Sequence, residues 1–168
     1  MACTLTGSFL LDCKDSNGGI LEMKIKTFDS TLTGLTESSG TLTAAGAALT
    51  GWYTYQCEKQ TASVEVKGST SVENGTSKYE QTITFVRNKM TAAFRNELER
   101  LGQGRFTIAV KDNNGSAWVF GYTRGMDCTA SSYGTGTKYE DRNGYTLTFM
   151  GVEPEPEMAL SNYASLTS

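Results

Sequence analysis

Residues 79–122, YEQTITFVRNKMTAAFRNELERLGQGRFTIAVKDNNGSAWVFGY, decide the fold. Thr82-Ile83-Thr84-Phe85-Val86 alternates polar and apolar side chains, the period of a strand with one buried face. Asn88 stands where a helix cap is needed, because its side-chain oxygen can accept from a free first-turn amide. Met90, Phe94, Leu98 and Leu101 then recur at helical spacing and form one stripe. Gly102 and Gly104 are expected to end the helix, since glycine reaches left-handed backbone cheaply. Phe106, Ile108 and Val110 return to a period of two, Asp112-Asn113-Asn114-Gly115 offers a hairpin turn, and Ala117–Phe120 comes back. The stretch predicts one helix lying across a sheet, with every other segment pairing to that sheet or extending it.

On the N-terminal side, Ala62, Val64 and Val66 alternate with Ser63, Glu65 and Lys67. Asn74-Gly75 is a strong hairpin signal, so Ala62–Val72 and Thr76–Val86 are predicted as the arms of a long hairpin. Its tip, Gly68–Lys78, is polar on both faces and is expected to project, with free edges that invite another chain. Trp52–Lys59 reads as a strand. So does Ile20–Phe28, with Leu21, Met23 and Ile25 on one face and Glu22, Lys24 and Lys26 on the other. Leu5–Leu11 suggests a short first strand, Asp15–Gly19 a turn, and Thr31-Leu32-Thr33 with Leu35 another short strand. Ser38–Gly46 is small and uncharged, and a short turn is conceivable near Ala44–Leu49. On the C-terminal side, Met126–Ser131 is a strand, Ser132–Asn143 a polar loop and Gly144–Met150 the last strand. Glu153-Pro154-Glu155-Pro156-Glu157 cannot enter a central strand, because each proline lacks a donor. The expected organisation is one β-rich domain over residues 1–157 and a tail over residues 158–168. The expected fold class is mainly β: a sandwich or barrel with one flanking α-helix and a projecting hairpin.

The chain has 168 residues, a length natural to one domain. Its net charge of −3 and pI near 5.0 argue against a basic surface that grips a phosphate backbone. Histidine is absent, which removes the usual general base, the Ser-His-Asp constellation and the common partner of a cysteine nucleophile. Cys3, Cys13, Cys57 and Cys128 form no C-x-x-C pair, so zinc is not expected. They read as reduced thiols, with a Cys3–Cys13 disulfide as the alternative. No phosphate-binding glycine motif is present, and Gly134-Thr135-Gly136-Thr137 opens no helix. Glu140 with Asp141, and Glu97 with Glu99, read as solvated charge. Asp12, Asp15 and Asn17, like Asp112–Asn114, read as turns, since neither place completes a calcium loop. Trp52, Tyr53, Tyr55, Trp118 and Tyr122 are the residues a sugar-stacking platform would need. The N-terminus lacks the pattern of a signal peptide, and no run approaches the roughly 20 apolar residues of a membrane span. No catalytic, cofactor-binding or metal-binding residue is assigned, no membrane contact is expected, and synthesis in a cytoplasm is.

Four stretches carry a resemblance: Asp12–Ile20 (DCKDSNGGI), Tyr79–Met90 (YEQTITFVRNKM), Lys111–Gly121 (KDNNGSAWVFG) and Arg142–Pro156 (RNGYTLTFMGVEPEP). Together they resemble small virion proteins of tailed phages and prophages of Bacteroidota, crAss-like phages among them. The likeness spans most of the chain and is weakest from Thr31 to Gly51. The order of elements also resembles the phage tail-tube fold. That resemblance implies a homo-oligomer, a ring of six subunits whose inner sheets join, with rings stacking into a tube that conducts DNA without specific binding. It implies a virion location in the tail, assembly in the bacterial host cytoplasm, and contacts with other tail or neck proteins. Carried over by position, the hairpin residues Gly68, Ser69, Thr70, Glu73, Asn74 and Gly75 would meet a neighbouring subunit. So would Tyr133, Lys138 and Tyr139 of the polar loop, and Glu153 and Pro154 before the tail. The alternatives within the same class are a head–tail connector of the neck and a capsid-decorating protein. From another class comes a β-sandwich glycan-binding module.

Overall fold

The computed structural model describes residue 5, residues 7–31 and residues 34–168. Within them, β1 (Ile20–Thr27), β2 (Leu35–Ser38), β3 (Thr41–Ala44), β4 (Tyr53–Gln56), β5 (Ser63–Ser71) and β6 (Thr76–Asn88) lead into helix α1 (Ala92–Gln103). Strands β7 (Arg105–Asp112), β8 (Ala117–Phe120), β9 (Met126–Gly134), β10 (Gly144–Glu153) and β11 (Met158–Leu160) follow. All belong to one open sheet, antiparallel except where β11 runs parallel to β3. The chain is mainly β, as its composition suggests.

Strand β7 is the hub. One edge pairs with β1 along its length, from Ile20 opposite Asp112 to Thr27 opposite Phe106. Its other edge is shared: Ile108–Lys111 pair with β8, and Arg105 and Phe106 pair with β9. The sheet therefore forks where the chain turns between β8 and β9. Gly121 makes the fork at φ +65°, with Met126 N and Phe106 O each 2.9 Å from where a Cβ would sit. One branch runs β9-β10-β6-β5 and the other β8-β11-β3-β2, while β4 extends the sheet beyond β1.

A strand shared by two branches is buried on both faces. Phe106, Ile108 and Val110 of β7 point into a first core, and Ala109 points into a second. Helix α1 covers the first core with Phe94 and Leu101, while Leu98 and Met90 pack at its margin. The Phe94 ring lies 4.8 Å from Tyr145 and 6.4 Å from Tyr55, and Tyr55 meets Phe85 edge-on at 5.9 Å. Strands β4 and β6, remote in pairing order, thus face each other across this core. The second core gathers Leu42, Ala48, Trp52, Val119, Met158, Leu160, Tyr163 and Leu166.

The second core corrects the expected tail. Residues 158–168 are integrated: β11 fits between β3 and β8, with Ala159 opposite Thr41 and Met158 opposite Val119. A 3-10 turn at Tyr163–Ser165 then places Tyr163 and Leu166 under the sheet. Lys24 fastens it. This lysine is only 8% exposed, and its ammonium donates to Tyr163 O at 3.2 Å and Leu166 O at 2.9 Å. It also lies 4.6 Å from the Tyr163 ring centroid. A β-bulge between Ile20 and Glu22 shifts the register there and leaves Leu21 52% exposed, against the expectation that it faces inward.

Other expectations change in detail. Thr91, not Asn88, caps α1, its hydroxyl accepting from Phe94 N at 3.3 Å, while Asn88 is the last rung of β6 opposite Gly144. Gly104 does follow the helix, but with φ −97°, so left-handed backbone is not its role. A side chain there would run into the Phe106 ring. The small, uncharged stretch Ser38–Gly46 begins with a tight hairpin: Ser39 and Gly40 both have positive φ, as a type I′ turn requires, and Ser38 pairs with Thr41. Of the expected strand Leu5–Leu11, the described residues 5 and 7–11 lie outside every ladder. Leu32 and Thr33 of another expected strand lie outside the described residues, as do Thr6 and Cys3.

Replacing Lys24 by Met keeps the apolar stem and removes both charged hydrogen bonds. The expected loss is about 2 kcal/mol in urea unfolding. Faster amide exchange confined to residues 158–168 and Trp52 should accompany it.

Candidate functional site

Strand β6 is paired on both edges, by β5 from Thr76 to Thr84 and by β10 from Tyr79 to Asn88. Only Ser69–Ser71 and Thr76–Lys78 run past the end of β10, so the projecting ribbon is three rungs, about 10 Å. It is shorter than the expected Gly68–Lys78. Gly68 still lies within the sheet opposite Tyr79, whose ring comes to 3.2 Å from where a Cβ would sit. The tip is a four-residue turn, Val72–Gly75, closed by Gly75 at φ +62°. Asn74 donates to Ser71 Oγ from its amide (3.4 Å) and its side chain (3.2 Å). Glu73, Asn74, Gly75, Ser69 and Thr70 are all exposed, and Val72 stands bare at the apex. Charges near the tip are balanced: Lys78 meets Glu80 at 2.6 Å and lowers its carboxyl pKa, and Lys67 meets Glu65 at 3.4 Å.

Tyr133, Lys138 and Tyr139 lie elsewhere. Tyr133 opposes Tyr145 near the far end of β10, their rings 5.8 Å apart, with one face of Tyr133 open. Strand β9 continues to Gly134, so the loop is residues 135–143, shorter than expected. Asp141 organises it by accepting from Thr137 N at 2.8 Å and Lys138 N at 2.9 Å. Those two amides hold its carboxyl below the usual range. Asn143 braces the base of the loop, accepting from Lys89 N and Met90 N. Lys138 is exposed and Tyr139 is fully open to solvent. From Tyr79 to Asn88 the β6–β10 pair spans about 30 Å. The expected contact residues therefore form two groups at opposite ends of one strand pair.

Glu153 belongs to neither group. It is 3% exposed, and its carboxylate accepts from Thr123 N at 3.2 Å and Arg124 N at 2.8 Å. Its role is to close the corner between β8 and β9, and of the two expected contact residues here Pro154 alone is exposed. Gln81, also buried, accepts from Gly121 N at 2.9 Å on the same corner. The sequence gives no sign of either role, because a polar residue in an alternating strand reads as solvent-facing.

The groups considered for chemistry are engaged structurally. Glu97 accepts from the Tyr55 hydroxyl at 3.3 Å and meets Arg100 at 3.6 Å, while Glu99 meets Arg95 at 3.6 Å. Burial first, then the Glu97 charge, drives the Tyr55 phenol far up, so it stays protonated at neutral pH. Burial pushes the Cys57 thiol up to about 11, with Glu22 adding to it, and raises that of Cys128. Cys13, Cys57 and Cys128 are free thiols, and a Cys3–Cys13 bridge lies outside the described residues. Asp112 Oδ1 accepts from the amides of Asn114 and Ser116, so it acts as turn chemistry. Among the described residues no group of three His, Cys, Asp or Glu is arranged for a metal, and no helix is long and apolar enough to cross a membrane. Trp52 is buried in the second core and Tyr55 in the first, and with Tyr53 they line one open cavity of about 910 Å³, where only Tyr53 among the three is exposed.

Comparison with protein families, curated proteins and solved structures gave no match.

The geometry at Asp141 generates a prediction. Its carboxyl is held low, so the order it gives the loop is present above its unfolded value, about 4, and is lost as pH falls through the lower folded value. At neutral pH, Asp141→Ala should speed exchange of the Thr137 and Lys138 amides, followed by NMR, and leave global melting unchanged. Unchanged exchange would remove Asp141 as the organiser of the loop.

Proposed function

We propose that this chain is a structural virion protein that assembles into rings forming a phage tail tube or a similar DNA-conducting conduit. One observation carries the reading: the exposed hairpin tip and the exposed Tyr133–Tyr139 region lie at opposite ends of the β6–β10 pair. Two unlike surfaces at opposite ends of one rigid element suit head-to-tail contact between stacked copies. The outer edge of β5, nine residues at the end of the sheet, adds a lateral surface through which a sheet can continue from copy to copy. The tail-tube resemblance of the sequence supplies the identity of the assembly, and the curled sheet with one helix over its core is compatible with it. The mixed, mutually paired charges near the hairpin and the net charge of −3 suit a conduit along which DNA moves without adhering.

Light scattering coupled to size exclusion, with negative-stain images of the same fractions, tests this reading. Rings of six, or tubes at high concentration, are the expected outcome. Rings of twelve would move the protein to the neck. A species that stays monomeric when concentrated would overturn ring formation and favour capsid decoration.

A further inference from the structure

Residues 5–14 have the sequence pattern of a strand, and the described ones, residue 5 and residues 7–14, pair with no strand. Leu5, Gly7, Phe9, Leu11 and Cys13 fall on one side of a period of two, opposite Ser8, Leu10, Asp12 and Lys14. Leu5, Phe9, Leu10 and Leu11 are 89–103% exposed. The root of this arm is fixed: Asn17 N donates to Asn114 Oδ1 at 2.7 Å, and Asn113 Nδ2 donates to Gly18 O at 2.7 Å. A rigid root with a bare apolar arm is a surface that water disfavours.

The same chain offers a complementary site. Between the outer edge of β5 and the β7–β8 hairpin lies a groove of about 470 Å³, whose apolar lining is Ala62, Val64, Val66, Val110, Trp118 and Phe120, with the carboxylates of Asp112 and Glu157 also on its wall. Ala62, Val64 and Val66 recur at the strand period, and among the described residues the outer edge of β5 pairs with no other strand. The other free edges fit less well. Strands β2 and β4 have four residues each, and the Trp52 amide beside β4 is already taken by Thr167 O at 2.9 Å.

We infer that the arm of one copy lies in the groove of a second copy as an added strand on β5, with Phe9 and Leu11 turned into the groove. The inference rests on the assembly reading above and gives it a specific contact. Ladder hydrogen bonds supply affinity, and alternate side chains set the register. Asp12 and Lys14 fall on the outer side and keep their water. Gly19 and Ile20 line the chain's own groove, yet Leu5, Phe9, Leu10 and Leu11 stay bare. Extended, residues 5–13 reach about 30 Å, enough to cross to a neighbour.

The test uses a labelled synthetic peptide of residues 5–15 and the full-length Phe9→Asp/Leu11→Asp chain, whose own arm is disabled. Fluorescence anisotropy should show saturable binding. Peptides carrying Phe9→Asp or Leu11→Asp should bind about tenfold more weakly or worse, and Leu10→Asp should matter far less. Because the acceptor chain is common to these titrations, a weak peptide cannot be blamed on misfolding. Val66→Lys in the acceptor, with its melting curve checked, should abolish binding. Absence of saturable binding, or equal harm from Leu10→Asp, overturns the inference. A monomeric wild-type chain that refuses a peptide the double variant binds means the arm fills its own groove, which overturns the second-copy assignment. Rings that persist in the double variant overturn the arm contact and leave the ring reading standing. A wild-type monomer that binds the peptide overturns the ring reading and, with it, the second-copy assignment of the arm.

Discussion

Everything in this molecule hangs on β7 serving three neighbours. Its full edge against β1 and its divided edge against β8 and β9 force the sheet to fork, and the fork creates two cores. The residues of β7 meet both demands. Large side chains at Phe106, Ile108 and Val110 fill the core under the helix, and the small Ala109 lets the other branch approach. The fork itself is locked by polar groups. Gln81 and Glu153 are buried to satisfy amides of the Gly121–Arg124 corner, which the two branches leave without a ladder partner.

Much of this was legible. The hairpin of β5 and β6, helix α1 and the β7–β8 hairpin follow from strong periods and turn residues in residues 62–122, and they appear within a few residues of where the pattern puts them. Misreadings occur where a period is short or broken. Met158, Leu160, Tyr163 and Leu166 mix strand and 3-10 spacing, sit among small residues and follow two prolines, so their burial leaves little trace in the pattern. The bulge after Ile20 changes which residues face inward, since a one-residue slip exchanges the faces of a strand. The buried Lys24 follows from the fork, because only a doubly covered strand has an inward side for it to face.

The candidate surface was legible in the same uneven way. Polar, glycine-bearing turns announce exposure, so the exposure of the hairpin tip and of the Lys138–Tyr139 loop is legible in the sequence. Their separation by the length of the β6–β10 pair was not, because only register fixes which ends coincide. Glu153 was misplaced because charge in a sequence is read as solvent contact, whereas two successive amides can hold a buried carboxylate. The aromatic residues show the converse. Trp52 and Tyr55 are near in sequence and line one cavity, yet each buries most of its side chain in a different core.

The place of β11 imposes a calendar on the chain. The first core draws its buried residues from Ile20 to Phe149, so all its parts exist before residue 150 has been made. The second core cannot close until residues 158–166 arrive, because β11 is the strand that joins β3 to β8. The contacts that seal it are distant: Thr43 and Ser161, 118 positions apart, share a hydrogen bond of 2.9 Å. Pairings of that separation form late and slowly. During synthesis the helix-covered half is thus complete while β2, β3 and β8 still wait for their connecting strand, and a nascent chain passes through a state with one finished core and one open flank.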